Sequence, residues 1–246
     1  MQTTFSFGQT ADLHAILNRL RNRFGPLPQR PRLDPVSQFV RAFIGTRTLD
    51  EKARAAFDRL RGRFADWDAL ADAEVAVIEA ALGDVTFADA KAVNLKLALQ
   101  KIRIRAGSLN LDFLATLDIG TAHVWLEQIH GVGRTIAAAV LNRSTLARRT
   151  FVVDSHGQRV LQRLGVAKPN ATIEATHAAV MAVADSLGTA ELFELNWYVK
   201  TLGYKICLKP RPLCEVCPLS QSCAQRRAAE NASSKHNNVR QPSHAA

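Results

Sequence analysis

All four cysteines of the chain stand close together near its C-terminal end, with six, two and five residues between successive members. Four thiolates within one short segment are the donor set of a metal centre. An all-thiolate zinc site and a [4Fe-4S] cluster both use such a set. Zinc sites usually carry two C-x2-C pairs and this chain has one, so the spacing favours iron and sulfur. The candidate ligands are Cys207, Cys214, Cys217 and Cys223.

A second candidate site is a glycine-containing turn between two short apolar segments. Glycine enters left-handed conformations without steric cost, so this turn can expose successive backbone N–H groups at the start of a helix. Such amides, together with the helix dipole, bind anions such as a DNA phosphate. A helical hairpin that serves only packing would show the same pattern, and both interpretations stay open on the turn alone. The residues predicted to contact DNA here are Gly131, Val132, Gly133 and Arg134.

The composition agrees with a polyanionic partner. The chain has 32 Lys and Arg against 22 Asp and Glu, a net charge of +10, which favours nucleic acid, although a basic surface that only aids solubility would give the same number. No apolar run approaches the ~18 residues of a membrane-spanning helix, and the N-terminus lacks the pattern of a secretory signal. We therefore expect a cytoplasmic, nucleoid-associated protein whose cysteines stay reduced.

Apolar residues recur at helical spacing along almost the whole chain, and no convincing strand series is present, so the predicted fold class is all-α. After Cys223 the sequence turns polar and loses this period, which predicts a disordered tail. The positive side chains between residues 88 and 106 are interpreted mostly as a solvated face; they are Lys91, Lys96, Lys101, Arg103 and Arg105. Helices are predicted over residues 12–24, 36–44, 49–64, 68–82, 88–106, 111–117, 121–129, 134–143, 155–164, 172–187 and 190–202.

Three motifs follow one another in a fixed order: LEQIHGVGRTIAAAVL from Leu126, then Val152-Val153-Asp154-Ser155-His156, then the cysteine loop. In this combination the chain resembles the endonuclease III family of DNA glycosylases. That family belongs to the superfamily defined by a helix-hairpin-helix followed by a Gly/Pro-rich turn and an aspartate. The resemblance runs from about Val36 to Cys223, and the cysteine spacing matches the family's [4Fe-4S] loop fully.

The resemblance implies two helical lobes. A six-helix lobe would cover about residues 28–147, an iron–sulfur lobe would combine residues 1–27 with 148–226, and residues 227–246 would form the disordered tail. Double-stranded DNA with a damaged or mismatched base would lie in a cleft between the lobes, bound by a monomer. Glycosylases extrude the target base because its glycosidic bond is inaccessible within the stack.

Asp154 matches the family's catalytic aspartate, whose carboxylate stabilises the positive charge that develops on the sugar as the base leaves. An aspartate that caps the helix near Ser155 would also fit this position. Thr135 departs from the family, because bifunctional members carry a lysine there whose amine forms a Schiff base with the sugar, and a hydroxyl cannot do so. We therefore expect a monofunctional glycosylase in which Asp154, and Thr135 as a second candidate, hold the attacking water.

Arg47 lies where the family usually has a glutamine that fills the space left by the extruded base. The match is looser here, and an arginine that contacts phosphate or water fits equally well. Lys209 and Arg211, between the first two cysteines, are predicted to meet phosphates. The changes at Thr135 and Arg47 motivate an alternative, a DNA-binding relative with weak or lost catalysis, although the retained Asp154 argues against it.

Overall fold

The computed structural model describes residues 12–28 and 31–238, with side chains described as far as residue 231. These residues form α-helices and three short 3-10 helices and contain no strand, so the predicted all-α fold class is confirmed. No described helix is long and apolar enough to cross a bilayer. The α-helices are α1 Leu13–Phe24, α2 Pro35–Gly45, α3 Asp50–Arg63, α4 Trp67–Asp72, α5 Val75–Leu82, α6 Ala88–Ala106, α7 Ile119–Glu127, α8 Arg134–Arg143, α9 Ser155–Leu164, α10 Ile173–Ala182, α11 Thr189–Lys205 and α12 Ala224–Asn238.

Six of the twelve described α-helices begin at a short polar side chain. An N-cap residue accepts a hydrogen bond from an amide of the first turn, which has no acceptor inside the helix. Aspartate serves this purpose five times among the described residues and threonine once. The capping residues are Asp12, Asp34, Asp66, Asp118, Asp154 and Thr172.

The described chain divides into two compact units. Residues 31–152, the continuous unit, contain α2 to α8. Its central helix is α2, which contacts α3, α6 and α8 and buries its apolar side chains completely at Phe39, Val40 and Ile44. The apolar period of α2 therefore places this helix in the core, where its two ends can carry loops of defined shape.

Residues 12–28 and 153–238 form the second unit, the split unit, with α11 in contact with both α1 and α9. The buried face of α1 is Leu13, Ile16, Leu17 and Leu20. The helix is also tied by an ion pair of 2.5 Å between Arg21 and Glu194, and the hydrogen bond from Arg21 lowers the pKa of that carboxyl group.

Two predicted helices do not form as single α-helices, and the helix predicted over 172–187 already ends at Ala182. The segment predicted as one helix over 68–82 is broken at Ala73, which is extended and gives its carbonyl to Lys96 Nζ at 2.7 Å. The segment 111–117 forms only the 3-10 helix Asp112–Ala115. The break at Ala73 gives the continuous unit seven α-helices rather than six.

The tail predicted to be disordered from residue 227 is helical to Asn238, as part of α12. Alanines give this segment helical propensity, and Arg226 Nε pairs with Glu230 Oε1 at 2.8 Å across one turn. Arg226 Nη1 also donates to the Cys214 carbonyl at 3.0 Å, which anchors the helix to the cysteine segment. The rest of the predicted tail, residues 239–246, and the predicted N-terminal residues 1–11 lie outside the described residues.

Candidate functional site

The glycine turn joins two packed helices of the continuous unit. α7 ends at Glu127 and α8 begins at Arg134, and the two helices contact each other. Within the turn, Val132 is buried and its amide donates to the Ile129 carbonyl at 3.0 Å. The first amides of α8 have no acceptor within the helix, as at any helix N-terminus. The turn therefore has the geometry of a helix-hairpin-helix with an anion-binding end.

Gly131 is required at its position for two reasons. Its φ of 80° lies in the left-handed region, and a Cβ added there would lie 3.1 Å from Phe43 Cζ on α2. Gly133 is different, because its backbone is extended, with a φ of −105°, and no heavy atom lies within 4 Å of an added Cβ. Both glycines are exposed, so their backbone can be approached from solvent.

Arg134 joins the two helices of the hairpin. Its Nε lies 2.9 Å from Glu127 Oε1 at the end of α7. Behind this ion pair, the buried His123 has Nε2 at 2.9 Å from Thr150 Oγ1 and Nδ1 at 3.8 Å from the same Glu127 oxygen. Part of the charge of Arg134 is therefore used inside the hairpin. Thr135 follows in the first turn of α8 and is half-buried.

Asp154 is the N-cap residue of α9 in the split unit. Its Oδ1 accepts a hydrogen bond from the Gly157 amide at 2.8 Å, so the predicted N-cap is confirmed. Its other carboxylate oxygen accepts no hydrogen bond from the described residues. The side chain is half-buried and follows the fully apolar Phe151-Val152-Val153, which is buried. One oxygen thus fixes the carboxylate while the other can act as an acceptor.

The first turn of α9 is held against α11 by close backbone contact. A Cβ on Gly203 would lie 2.8 Å from the His156 carbonyl oxygen. Arg159 Nη2 donates to the Gly203 carbonyl at 2.7 Å, and its Nε donates to the Cys207 carbonyl at 3.0 Å. His156 packs edge-on against Tyr204. Sequence reasoning missed Gly203 and Arg159, because the contact between them joins residues 44 positions apart.

The four cysteines line one cavity of about 600 Å³ in the split unit, together with residues of α9, α11 and α12. Burial raises the pKa of the Cys217 thiol, and the three other cysteines raise it further. Arg163 Nη1 lies 3.3 Å from Cys207 Sγ. Within the described residues, no three His, Cys, Asp or Glu side chains are grouped so as to hold a metal ion. The thiols thus surround a space instead of meeting at one point.

The loop between the first two cysteines is exposed at Lys209 and Arg211. Both side chains are therefore accessible to an anionic partner, and their contact with phosphate stays a prediction.

Arg47 is exposed on the connection between α2 and α3 and has a φ of 54°. A left-handed conformation costs a residue with a side chain roughly 1–2 kcal/mol. The connection is held by Lys91 of α6, which is only 7% exposed. The interpretation of Lys91 as part of a solvated face is therefore wrong, because its ammonium group points inward to backbone carbonyls. Burial lowers the pKa of Lys91 to about 8.

The other cations of α6 are mostly engaged as well. Arg103 forms ion pairs with Asp68 and Asp72, at 3.2 and 2.6 Å, whereas Lys101 is exposed as expected.

A family model described as HhH-GPD superfamily base excision DNA repair protein matches residues 40–185. This range covers more than half of the 246 residues and contains Arg47, the glycine turn, Thr135 and Asp154. The match therefore includes each of the candidate residues outside the cysteine loop.

Three curated proteins are similar to parts of the chain. "Putative DNA glycosylase" of Arabidopsis thaliana is 29% identical over 169 residues, which cover 68% of this chain and 56% of that protein. Endonuclease III of Rickettsia prowazekii (strain Madrid E) is 33% identical over 98 residues, 40% of this chain and 44% of that protein. Protein ROS1C of Oryza sativa subsp. japonica is 25% identical over 172 residues, 64% of this chain and 9% of that protein. The chain thus spans about half the length of the first two relatives and only 9% of the length of the third.

Solved structures share the fold. A non-covalent complex of endonuclease III with DNA has a TM-score of 0.72 at 17% identity and covers 91% of this chain and 99% of its own. A thermostable thymine-DNA glycosylase has a TM-score of 0.70 at 18% identity and covers 88% and 95%. At such identities the similarity shows that the fold is the same.

The two glycines of the turn give a matched test of the hairpin. Gly131→Ala combines a left-handed φ with a contact on Phe43, so we expect a loss of about 1–2 kcal/mol in the free energy of unfolding. Gly133→Ala changes only the capping residue and should cost about 0.5 kcal/mol. Urea unfolding of both variants measures the difference, and equal losses would contradict the close approach at Gly131.

Proposed function

The chain belongs to the HhH-GPD superfamily of base excision DNA repair proteins, and on that premise we propose that it is a DNA N-glycosylase. The observation that carries the proposal is that one family match spans both the helix-hairpin-helix turn and the capped Asp154. DNA is the partner that the hairpin geometry and the net charge of +10 both favour. The protein would act as a monomer on nucleoid DNA in the cytoplasm.

The proposed reaction is hydrolysis of the bond between the sugar C1′ and the extruded base. As that bond breaks, its electron pair leaves with the base and positive charge develops on the sugar. The Asp154 carboxylate stabilises this charge, and its second oxygen accepts a proton from the water whose oxygen bonds to C1′. The base leaves as an anion and takes up a proton from solvent, Asp154 returns the proton of the water to solvent, and the sugar ends as an abasic site. The hydrogen bond from Gly157 fixes the carboxylate for this role.

Thr135 supports a monofunctional reaction. Strand cleavage through a Schiff base needs a primary amine that attacks C1′, and a threonine hydroxyl cannot form an imine. Thr135 occupies the first turn of α8 directly after the hairpin, where the bifunctional enzymes that this chain resembles carry lysine. Thr135 can therefore support hydrolysis of the glycosidic bond but not strand cleavage through a Schiff base.

The hairpin would hold DNA through its backbone. The exposed Gly131 and Gly133 allow a phosphate to approach the amides at the start of α8, which are oriented by the helix dipole. Lys209 and Arg211 would add phosphate contacts from the cysteine loop. Backbone contacts of this kind position the duplex without reading its sequence.

We also propose that the cysteine cavity holds a [4Fe-4S] cluster. The donor set fits, because four thiols surround one cavity of about 600 Å³, whereas a single zinc ion would require all four sulfur atoms at ~2.3 Å from one point. Such a cluster would order the loop that carries Lys209 and Arg211. Arg163, close to Cys207 Sγ, would offset the negative charge of the thiolates.

Excision is tested on a panel of duplexes that carry uracil, a thymine mismatch, thymine glycol, hydroxyuracil or mismatched adenine, followed by alkaline cleavage. We expect product on at least one duplex, and Asp154→Asn should lower its rate by at least about a hundredfold. Ser155→Ala is the control, since Ser155 is exposed beside Asp154. Binding without product on the whole panel would favour the alternative, a DNA-binding relative that has lost catalysis.

The monofunctional reaction is tested by borohydride trapping. The wild type should give little covalent protein–DNA adduct, whereas Thr135→Lys restores an amine at the same position and should trap at least about tenfold more. Equal and efficient trapping by both proteins would show that another amine forms the Schiff base and would contradict this assignment.

The cofactor is tested by metal and sulfide analysis of protein purified without oxygen. We expect about four irons and four acid-labile sulfides per chain, with broad visible absorbance. Cys214→Ala should lower iron content, whereas Ser220→Ala, which changes a neighbouring non-ligand, should not. One zinc per chain without sulfide would contradict the cluster.

A further inference from the structure

The exposed Arg47 side chain is presented by an unusual backbone. Four residues, 46–49, connect α2 to α3, and Arg47 has a φ of 54°, which side-chain-bearing residues rarely adopt. Such a conformation persists only where the surrounding structure fixes it, and it concentrates at functional sites. A contact from α6 fixes it here.

Lys91 of α6 makes that contact. Its Nζ donates to the Ile44 carbonyl at 2.8 Å, to the Thr46 carbonyl at 2.5 Å and to Thr48 Oγ1 at 2.9 Å. An ammonium group has three hydrogens to donate, so these three acceptors use all of them. Two of the acceptors belong to Thr46 and Thr48, so Lys91 holds the residues on both sides of Arg47.

The chemistry of the contact explains why a lysine is needed. Ile44 lies in the last turn of α2, where carbonyls lack partners within the helix and a cation is favoured by the helix dipole. A buried ammonium group is unfavourable unless it is fully hydrogen-bonded, and here it is. Its partners are all neutral oxygens, so the positive charge beneath Arg47 is not cancelled.

We propose that Lys91 is a positioning residue that holds the 46–49 connection so that the Arg47 guanidinium can enter the space left in the duplex by an extruded base. This inference rests on the proposed glycosylase function, because only an enzyme that extrudes a base creates that space. Lys91 is too buried to touch DNA and acts through Arg47. The lowered pKa of Lys91, about 8, agrees with a desolvated ammonium group in this position.

α6 itself supplies a control. Lys96 Nζ donates to the Ala73 carbonyl at 2.7 Å, at the end of α4, so it caps a different helix. Lys91→Met and Lys96→Met each remove a capping ammonium from the same helix. A purely structural role would make the two variants alike in DNA binding.

The test measures binding to two duplexes, one with a tetrahydrofuran abasic analogue and one undamaged. We expect Lys91→Met and Arg47→Ala each to weaken binding of the abasic-analogue duplex about tenfold, and to change binding of the undamaged duplex less than about twofold. In the Arg47→Ala background, Lys91→Met should cause no further loss, because coupled residues are not additive. Lys96→Met should bind both duplexes like the wild type.

Additive losses at Lys91 and Arg47, equal weakening of both duplexes, or the same effect from Lys96→Met would overturn the inference. So would an Arg47→Ala variant that binds like the wild type. If Lys91→Met does not fold, Thr48→Val removes one of its three acceptors and gives the same comparison, with an expected loss of about threefold. Unchanged binding by that variant would also overturn it.

The excision panel separates failure of this inference from failure of the proposed function. A wild-type protein that excises no base and does not prefer the abasic-analogue duplex contradicts the glycosylase itself. Excision together with unaffected Lys91→Met binding contradicts only the role of Lys91.

Discussion

An α-helix leaves the carbonyl groups of its last turn without partners, and a chain built from helices meets this constraint at every helix end. Here arginine and lysine side chains from other parts of the chain supply the missing donors, which the helix dipole also favours. Arg59, for example, donates to the Ala81 and Leu82 carbonyls at the end of α5, at 2.8 and 2.7 Å. The same arrangement occurs at other helix ends and turns through Arg32, Lys91, Lys96, Arg148 and Arg159.

This use of cations changes what the net charge means. A charge of +10 indicates a polyanionic partner, but several of the positive side chains that make up this number are committed to carbonyls inside the protein. The cations that remain exposed on loops are fewer and more informative, and they include Arg47, Lys209 and Arg211. The internal cations contribute to the potential at the surface, while the exposed ones can make direct contacts with phosphate.

Local patterns in the sequence predicted much of the fold. α6, α8 and α9 begin and end at the predicted residues. The start of α9 is encoded locally, since Asp154 caps it. The glycine turn and Asp154 were also found from local patterns, namely from the spacing of the motifs and from the family resemblance based on that spacing. Features set by distant partners were missed. The break at Ala73 depends on Lys96, 23 residues away, and no Gly or Pro marks it.

The buried Lys91 shows the same limit within the candidate site. Its acceptors lie 43 to 47 residues earlier in the chain, so its helical neighbours gave no sign that it points inward. α12 was missed for the opposite reason, since it has too few apolar residues for a period. It is stabilised by propensity, by the ion pairs of Arg226 with Glu230 and Glu215, and by its anchor on Cys214.

The split unit also has a consequence for the order in which the protein folds. The hydrogen bond from the Tyr198 hydroxyl to the Gly25 carbonyl joins residues 173 positions apart. During synthesis, α1 leaves the ribosome before α11, its packing partner. Every residue of the continuous unit is made between these two helices. Closing so long a loop is entropically costly before its contacts form, so α1 docks late. At ~5–20 residues per second, the apolar face of α1 stays uncovered on the ribosome for roughly ten seconds or more, a period in which it is open to chaperones.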